Sequence, residues 1–107
     1  MPKFLINASY SAEGMKGLQK EKASGREKAL KAACEAQGGK FEALYYALGD
    51  HDVYAIVDLP SHVRAAALAS AAAATGAFSQ VRTVTLLTVA ETDEALGGAT
   101  PYRAPGA

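Results

Sequence analysis

Val53-Tyr-Ala-Ile-Val-Asp-Leu59, followed by Pro60, decides the fold. A strand with one solvated face alternates apolar with polar residues. This run is apolar almost throughout, as a strand buried on both sides would be. It belongs in the middle of a sheet. Gly49-Asp50-His51-Asp52 immediately before it reads as a turn, and Lys40–Leu48 before that as a second strand, so the two make a hairpin. Pro60 ends the strand, and Ser61 is placed to cap a helix. That helix is rich in alanine and runs to about Thr75, where Gly76 stops it.

Working outward, Gln80–Leu87 reads as a strand. Thr88-Val-Ala-Glu91 fits a capping box that opens a short helix to about Leu96. Upstream, Lys3–Tyr10 reads as a strand with Phe4, Ile6, Ala8 and Tyr10 on one face and Leu5, Asn7 and Ser9 on the other. Ser11–Ala23 is ambiguous: Gly14 and Gly17 weaken a helix, while Met15 and Leu18 sit at helical spacing. Ser24-Gly-Arg-Glu27 matches a capping box, and a helix from there to about Gln37 carries Leu30, Ala33, Cys34 and Gln37 on one stripe. Gly38-Gly39 ends it. The order β-α-β-β-α-β predicts an α+β ferredoxin-like sandwich: a four-stranded antiparallel sheet with its helices on one face and the first and third strands central. Residues 1–96 form one domain on this reading, and 97–107, with two prolines and a glycine, form a flexible tail.

Composition bounds the function. Eleven Lys+Arg balance eleven Asp+Glu among 107 residues, for a net charge of zero. That argues against partners held through phosphates, nucleic acid and anionic membranes included. One cysteine excludes an internal disulfide and a multi-thiolate zinc site. No metal or other cofactor is expected. The opening residues lack a signal-peptide apolar core, and no run is apolar enough to span a bilayer, so a cytoplasmic protein is expected. Alanine is the commonest residue and buries little area, so a lone copy would be marginally stable and a homodimer or higher oligomer is the natural remedy.

The second face of the sheet points the same way. By strict alternation it carries Leu5, Asn7, Ser9, Leu44, Tyr46, Tyr54 and Ile56, with Glu42, Asp58 and Arg82 at its rim. A face this apolar needs cover, and a second copy would enclose a space between two sheets.

Lys3–Tyr10, Glu13-Gly-Met-Lys-Gly-Leu18, Gly38-Gly39, and Gly49-Asp-His-Asp52 running into Val53–Pro60 resemble the GYD domain, a small bacterial family named for a Gly-Tyr-Asp signature. The resemblance covers roughly residues 2–96. Gly49 and Asp52 match the outer letters with one residue inserted, and His51 stands where tyrosine is usual. The resemblance implies a ferredoxin-like fold related to the dimeric α+β barrels. It implies no activity, and fold alone supplies none.

The candidate ligand-binding residues are Asn7, Ser9, Tyr46, Tyr54, His51 and Arg82: polar handles on an apolar surface, the usual make-up of a small-molecule site. The bland alternative is sheet packing plus a dimer interface. A carboxylate beside His51 would favour its charged form, while a plain hairpin turn explains the same residues through aspartates that cap backbone amides. His62, in the first turn of a helix, reads as surface, and Cys34 as a small core hydrophobe. The basic side chains from Lys16 to Lys31 are interleaved with glutamates and read as a solvated face. No residue is assigned a catalytic role. The preferred reading is a homo-oligomer that uses the open sheet face to bind a small apolar or aromatic molecule; the alternatives are a cofactor-free oxygenase or isomerase on a small aromatic or quinone-like substrate, and a purely structural interaction module.

Overall fold

The computed structural model describes all residues, 1–107. The elements are β1 (Lys3–Tyr10), α1 (Ala12–Ala36), β2 (Lys40–Tyr46), β3 (Val53–Asp58), α2 (His62–Ala74), β4 (Phe78–Leu86) and α3 (Val89–Leu96). The sheet is antiparallel throughout, in the order β2-β3-β1-β4. This is the ferredoxin-like arrangement, with β1 and β3 central. No helix is long and apolar enough to cross a membrane.

The predicted caps form at two of three places. Ser61 Oγ accepts from the Arg64 N–H, and Thr88 and Glu91 make the full capping box of α3. The Ser24 box does not form. Ser24 lies inside α1, which begins twelve residues earlier and is capped by Ser11, whose hydroxyl accepts from the Gly14 N–H at 3.1 Å. The ambiguous stretch is therefore helical, and the break falls at Lys22, whose φ of 72° interrupts the helix. Left-handed backbone is costly for a side-chain-bearing residue.

Ser11 and Gly14 fix where α1 starts. The Ser11 N–H donates to the Ala77 carbonyl at 2.9 Å, and its hydroxyl donates to the Gly76 carbonyl at 2.7 Å. Gly14 lies so close to this turn that a Cβ would come within 1.8 Å of the Ala77 oxygen. The start of α1 is thereby locked to the entry of β4.

The core sits at the opposite end of the helices. Phe4, Val57 and Leu59 from the sheet side pack with Cys34 of α1 and with Ala65 and Leu68 of α2. Arg64 Nη1 donates to Gln37 Oε1 at 3.3 Å across the same junction. α1 leans toward β2 and α2 toward β4, so the two helices close together only at this end. Cys34 has no exposed surface, and burial, with Glu35 adding to it, pushes its thiol up. It is a core hydrophobe, as its stripe position suggested. His62 is exposed.

Substituting Gly14 with Ala should cost about 2 kcal/mol or more of stability, because the clash is with backbone that cannot rotate away. A urea-denaturation midpoint equal to that of the parent would contradict the lock between α1 and the β4 entry.

Candidate functional site

Side-chain volume runs out above the cleft-side half of the sheet. Towards the core end, Phe4, Val57 and Phe41 meet the helices. Beyond it, the helices offer mainly alanines, Ala29 and Ala33 from α1 and Ala69 and Ala72 from α2 beside Leu30 and Leu68, over a floor of Ile6, Ala8, Val53 and Ala55. Methyl groups cannot span that distance, and a cleft of about 280 Å³ remains between sheet and helices. The cleft is open to solvent on one side, and an apolar concavity of this kind suits an apolar guest.

The mouth of the cleft carries its polar groups. Tyr10 lies against Phe78 with ring centroids 4.9 Å apart, and it stacks on Tyr46 at 6.5 Å with the rings 9° from parallel. The two hydroxyls are 3.4 Å apart. Arg26 is the one charged residue on the lining. Burial first, and then the hydrogen bond to Tyr46, push the Tyr10 phenol well above the ordinary tyrosine range; Arg26 opposes that shift and Asp52 adds to it. Tyr10 is therefore a neutral hydroxyl at any physiological pH.

Two backbone devices put these rings there. One is a bulge in β2. Phe41 pairs with Val57, but the next partner of β3, Ile56, faces Ala43 rather than Glu42. The extra residue turns every later side chain to the other face. Leu44 and Tyr46 consequently line the cleft on the helix side, where alternation had put them on the open face, and Ala43 and Tyr45 take their places there. The other device is Asp52. Its carboxylate accepts from the Tyr10 N–H at 2.9 Å, and its own N–H donates to the Ala8 carbonyl at 3.0 Å, just where β1 shifts register at Ser9/Tyr10. The aspartate of the turn thus caps a backbone amide, and in doing so it holds Tyr10 at the cleft.

The other sequence-derived candidates lie on the opposite, open face. Asn7 is flanked by Tyr54 on β3 and Arg82 on β4. Ser9 Oγ is 3.5 Å from His51 Nδ1, and the His51 ring meets Tyr54 edge-on at 6.0 Å. Asn7 is 8% exposed, and its Oδ1 has no hydrogen-bond partner within the chain. Glu42 and Asp58 converge on Lys3, whose ammonium is held in its charged form first by the hydrogen bond to Glu42 and then by that to Asp58. Five of the six candidates thus share one face, while Tyr46 belongs to the cleft. The sequence reading missed Arg26, Tyr10 and the alanine walls. The available signal was α2 itself, His62–Ala74, whose one large buried residue is Leu68. No three His, Cys, Asp or Glu side chains converge as metal ligands would.

Among known protein families, residues 4–96 match the model described as the GYD domain, nearly the whole chain. Neither the curated proteins nor the solved structures gave a match.

An acid whose folded pKa lies above its unfolded one holds its proton more tightly when folded. The stability Tyr10 contributes is complete below the unfolded value of about 10 and is lost as pH rises past it. The parent should therefore lose more stability between neutral and strongly alkaline pH than Tyr10→Phe does. Equal losses in urea-midpoint measurements across that range would contradict the half-buried placement of this hydroxyl beside Tyr46.

Proposed function

The chain belongs to the GYD domain family, and from that premise we propose that it is a homo-oligomeric protein that binds a small apolar molecule, with the ligand in the helix–sheet cleft and a second copy on the open sheet face. The observation that carries this reading is the unfilled cleft of about 280 Å³ in a chain short of core. Small-molecule sites are concave and largely apolar with a few convergent polar groups, and the cleft has that make-up.

Surface area supports the second copy. A monomer of 11.0 kDa exposes about 5,600 Å², whereas this chain exposes 7240 Å², and 11 of its 107 residues are buried. The excess, roughly 1,600 Å², includes the terminal tail and still leaves room for a standard interface, which takes about 800 Å² from each partner. The open face supplies apolar side chains in Leu5, Tyr54, Ile56 and Val84.

Binding is favoured over turnover by what surrounds His51. Its contacts are the Ser9 hydroxyl at 3.5 Å and the edge of the Tyr54 ring. Neither holds the imidazole in the fixed orientation that a proton-transfer group needs.

Toluene serves as the probe of the cleft. Added to isotope-labelled protein, it should shift the amide resonances of Ala33, Ala55 and Ala72. Filling the space with Ala33→Leu and Ala72→Leu together should raise the melting temperature and abolish those shifts. Shifts on the open face, or shifts that survive in the filled variant, would contradict the reading. On the other face, Leu5→Asp or Ile56→Asp should reduce the native mass to that of one chain, because the oligomer would bury an unpaired ion. Unchanged mass in both variants would remove the sheet-face interface.

A further inference from the structure

The polar groups on the cleft lining are few, and one is already spent. Thr75 Oγ1 donates to the Ala72 carbonyl and accepts from the Ala77 N–H. That leaves Arg26 and the hydroxyls of Tyr10 and Tyr46. In a hydroxyl pair, one O–H points at the other oxygen and the second O–H remains free to donate. The 3.4 Å between these two is long for such a bond, so an acceptor that engaged both would improve on the pair alone. Arg26 makes no hydrogen bond within the chain: its Nε is ion-paired with Glu21 Oε2 at 3.7 Å, beyond hydrogen-bond range, which leaves the two terminal amino groups of the guanidinium to donate. The mouth therefore presents donors and a positive charge. It suits an acceptor that carries one negative charge.

The rest of the cleft sets the body of the ligand. Phe78, Tyr10 and Tyr46 form a continuous aromatic wall, the kind of surface on which a flat ring stacks. A dry cavity of about 150 Å³ accommodates benzene, so 280 Å³ suffices for a fused pair of rings.

Resting on the reading of the cleft as the binding site, we propose that its ligand is a compact aromatic carboxylate. The ring system lies over the alanine-lined floor. The carboxylate sits at the mouth, where it accepts from the Arg26 guanidinium and from the Tyr10–Tyr46 hydroxyls. A neutral ring would leave the guanidinium unused. An organic cation would be repelled by it. A polyanion would bring more charge than one arginine matches. The phenol of Tyr10, held neutral by burial, remains a donor under all physiological conditions.

The test compares 2-naphthoate with its neutral near-isostere 2-naphthamide, titrated into the intact protein at neutral pH, with toluene as the independent probe of the cavity. The carboxylate should bind about tenfold more tightly than the amide, the low end of what a charge-assisted pair contributes, since Arg26 is part-exposed. That preference should disappear in Arg26→Gln, shrink in Tyr46→Phe, and weaken with added salt. Equal affinities, or a preference for the amide, while toluene still shifts the cleft resonances, would overturn the carboxylate assignment and leave the cleft as a site for neutral molecules. If neither naphthyl compound binds and toluene shifts nothing in the cleft, both this proposal and the reading beneath it fall.

Discussion

A shortage of side-chain volume governs this molecule. Two helices lie on one face of a four-stranded sheet, and over half of that face they offer mostly methyl groups, with Leu30 and Leu68 as their large apolar side chains. Where larger groups are available, at Phe4, Val57, Leu59 and Leu68, sheet and helices close into a dry core. Where they are not, the surfaces stay apart. The cleft thus results from the same alanine-rich composition that leaves only 11 of 107 residues buried. Both consequences point outward: one face of the sheet lacks a filling, and the other lacks a cover.

The fold was legible in the sequence because its signals are local. The apolar run Val53–Leu59, the stops at Gly38-Gly39 and Gly76, and the caps at Ser61 and Thr88 each fix an element without help from distant residues. The first helix was harder. Gly14 is a defect by propensity, yet it is the one residue that fits against the Ala77 carbonyl, and Ser11 caps a helix that the glycines disfavour. Here tertiary contact overrides propensity.

The site was half legible for a different reason. Alternation places side chains correctly until a strand bulges, and a bulge leaves no reliable trace in sequence. At Glu42 it moves Tyr46 from the open face to the cleft and Tyr45 the other way. Asn7, Ser9, Tyr54 and Arg82, on strands or stretches without that slip, fall on the face that alternation gave them. Arg26 escaped notice because a basic residue among interleaved glutamates reads as solvated surface. Only the fold shows that α1 brings it to the rim beside Tyr10. Asp52 was read as an amide cap, and that is what it is. The amide it caps belongs to Tyr10, so a turn residue becomes a positioning residue for the cleft.

Native mass spectrometry of the protein as purified tests the central claim most directly, because it reports subunit number and retained small molecules together. The account predicts a dimer or higher multiple of the chain. It further predicts that, where a ligand survives purification, the added mass is that of a small organic molecule and is absent from a variant with the cleft filled. A monomer at every concentration, whose bound mass never depends on the cleft, would contradict it.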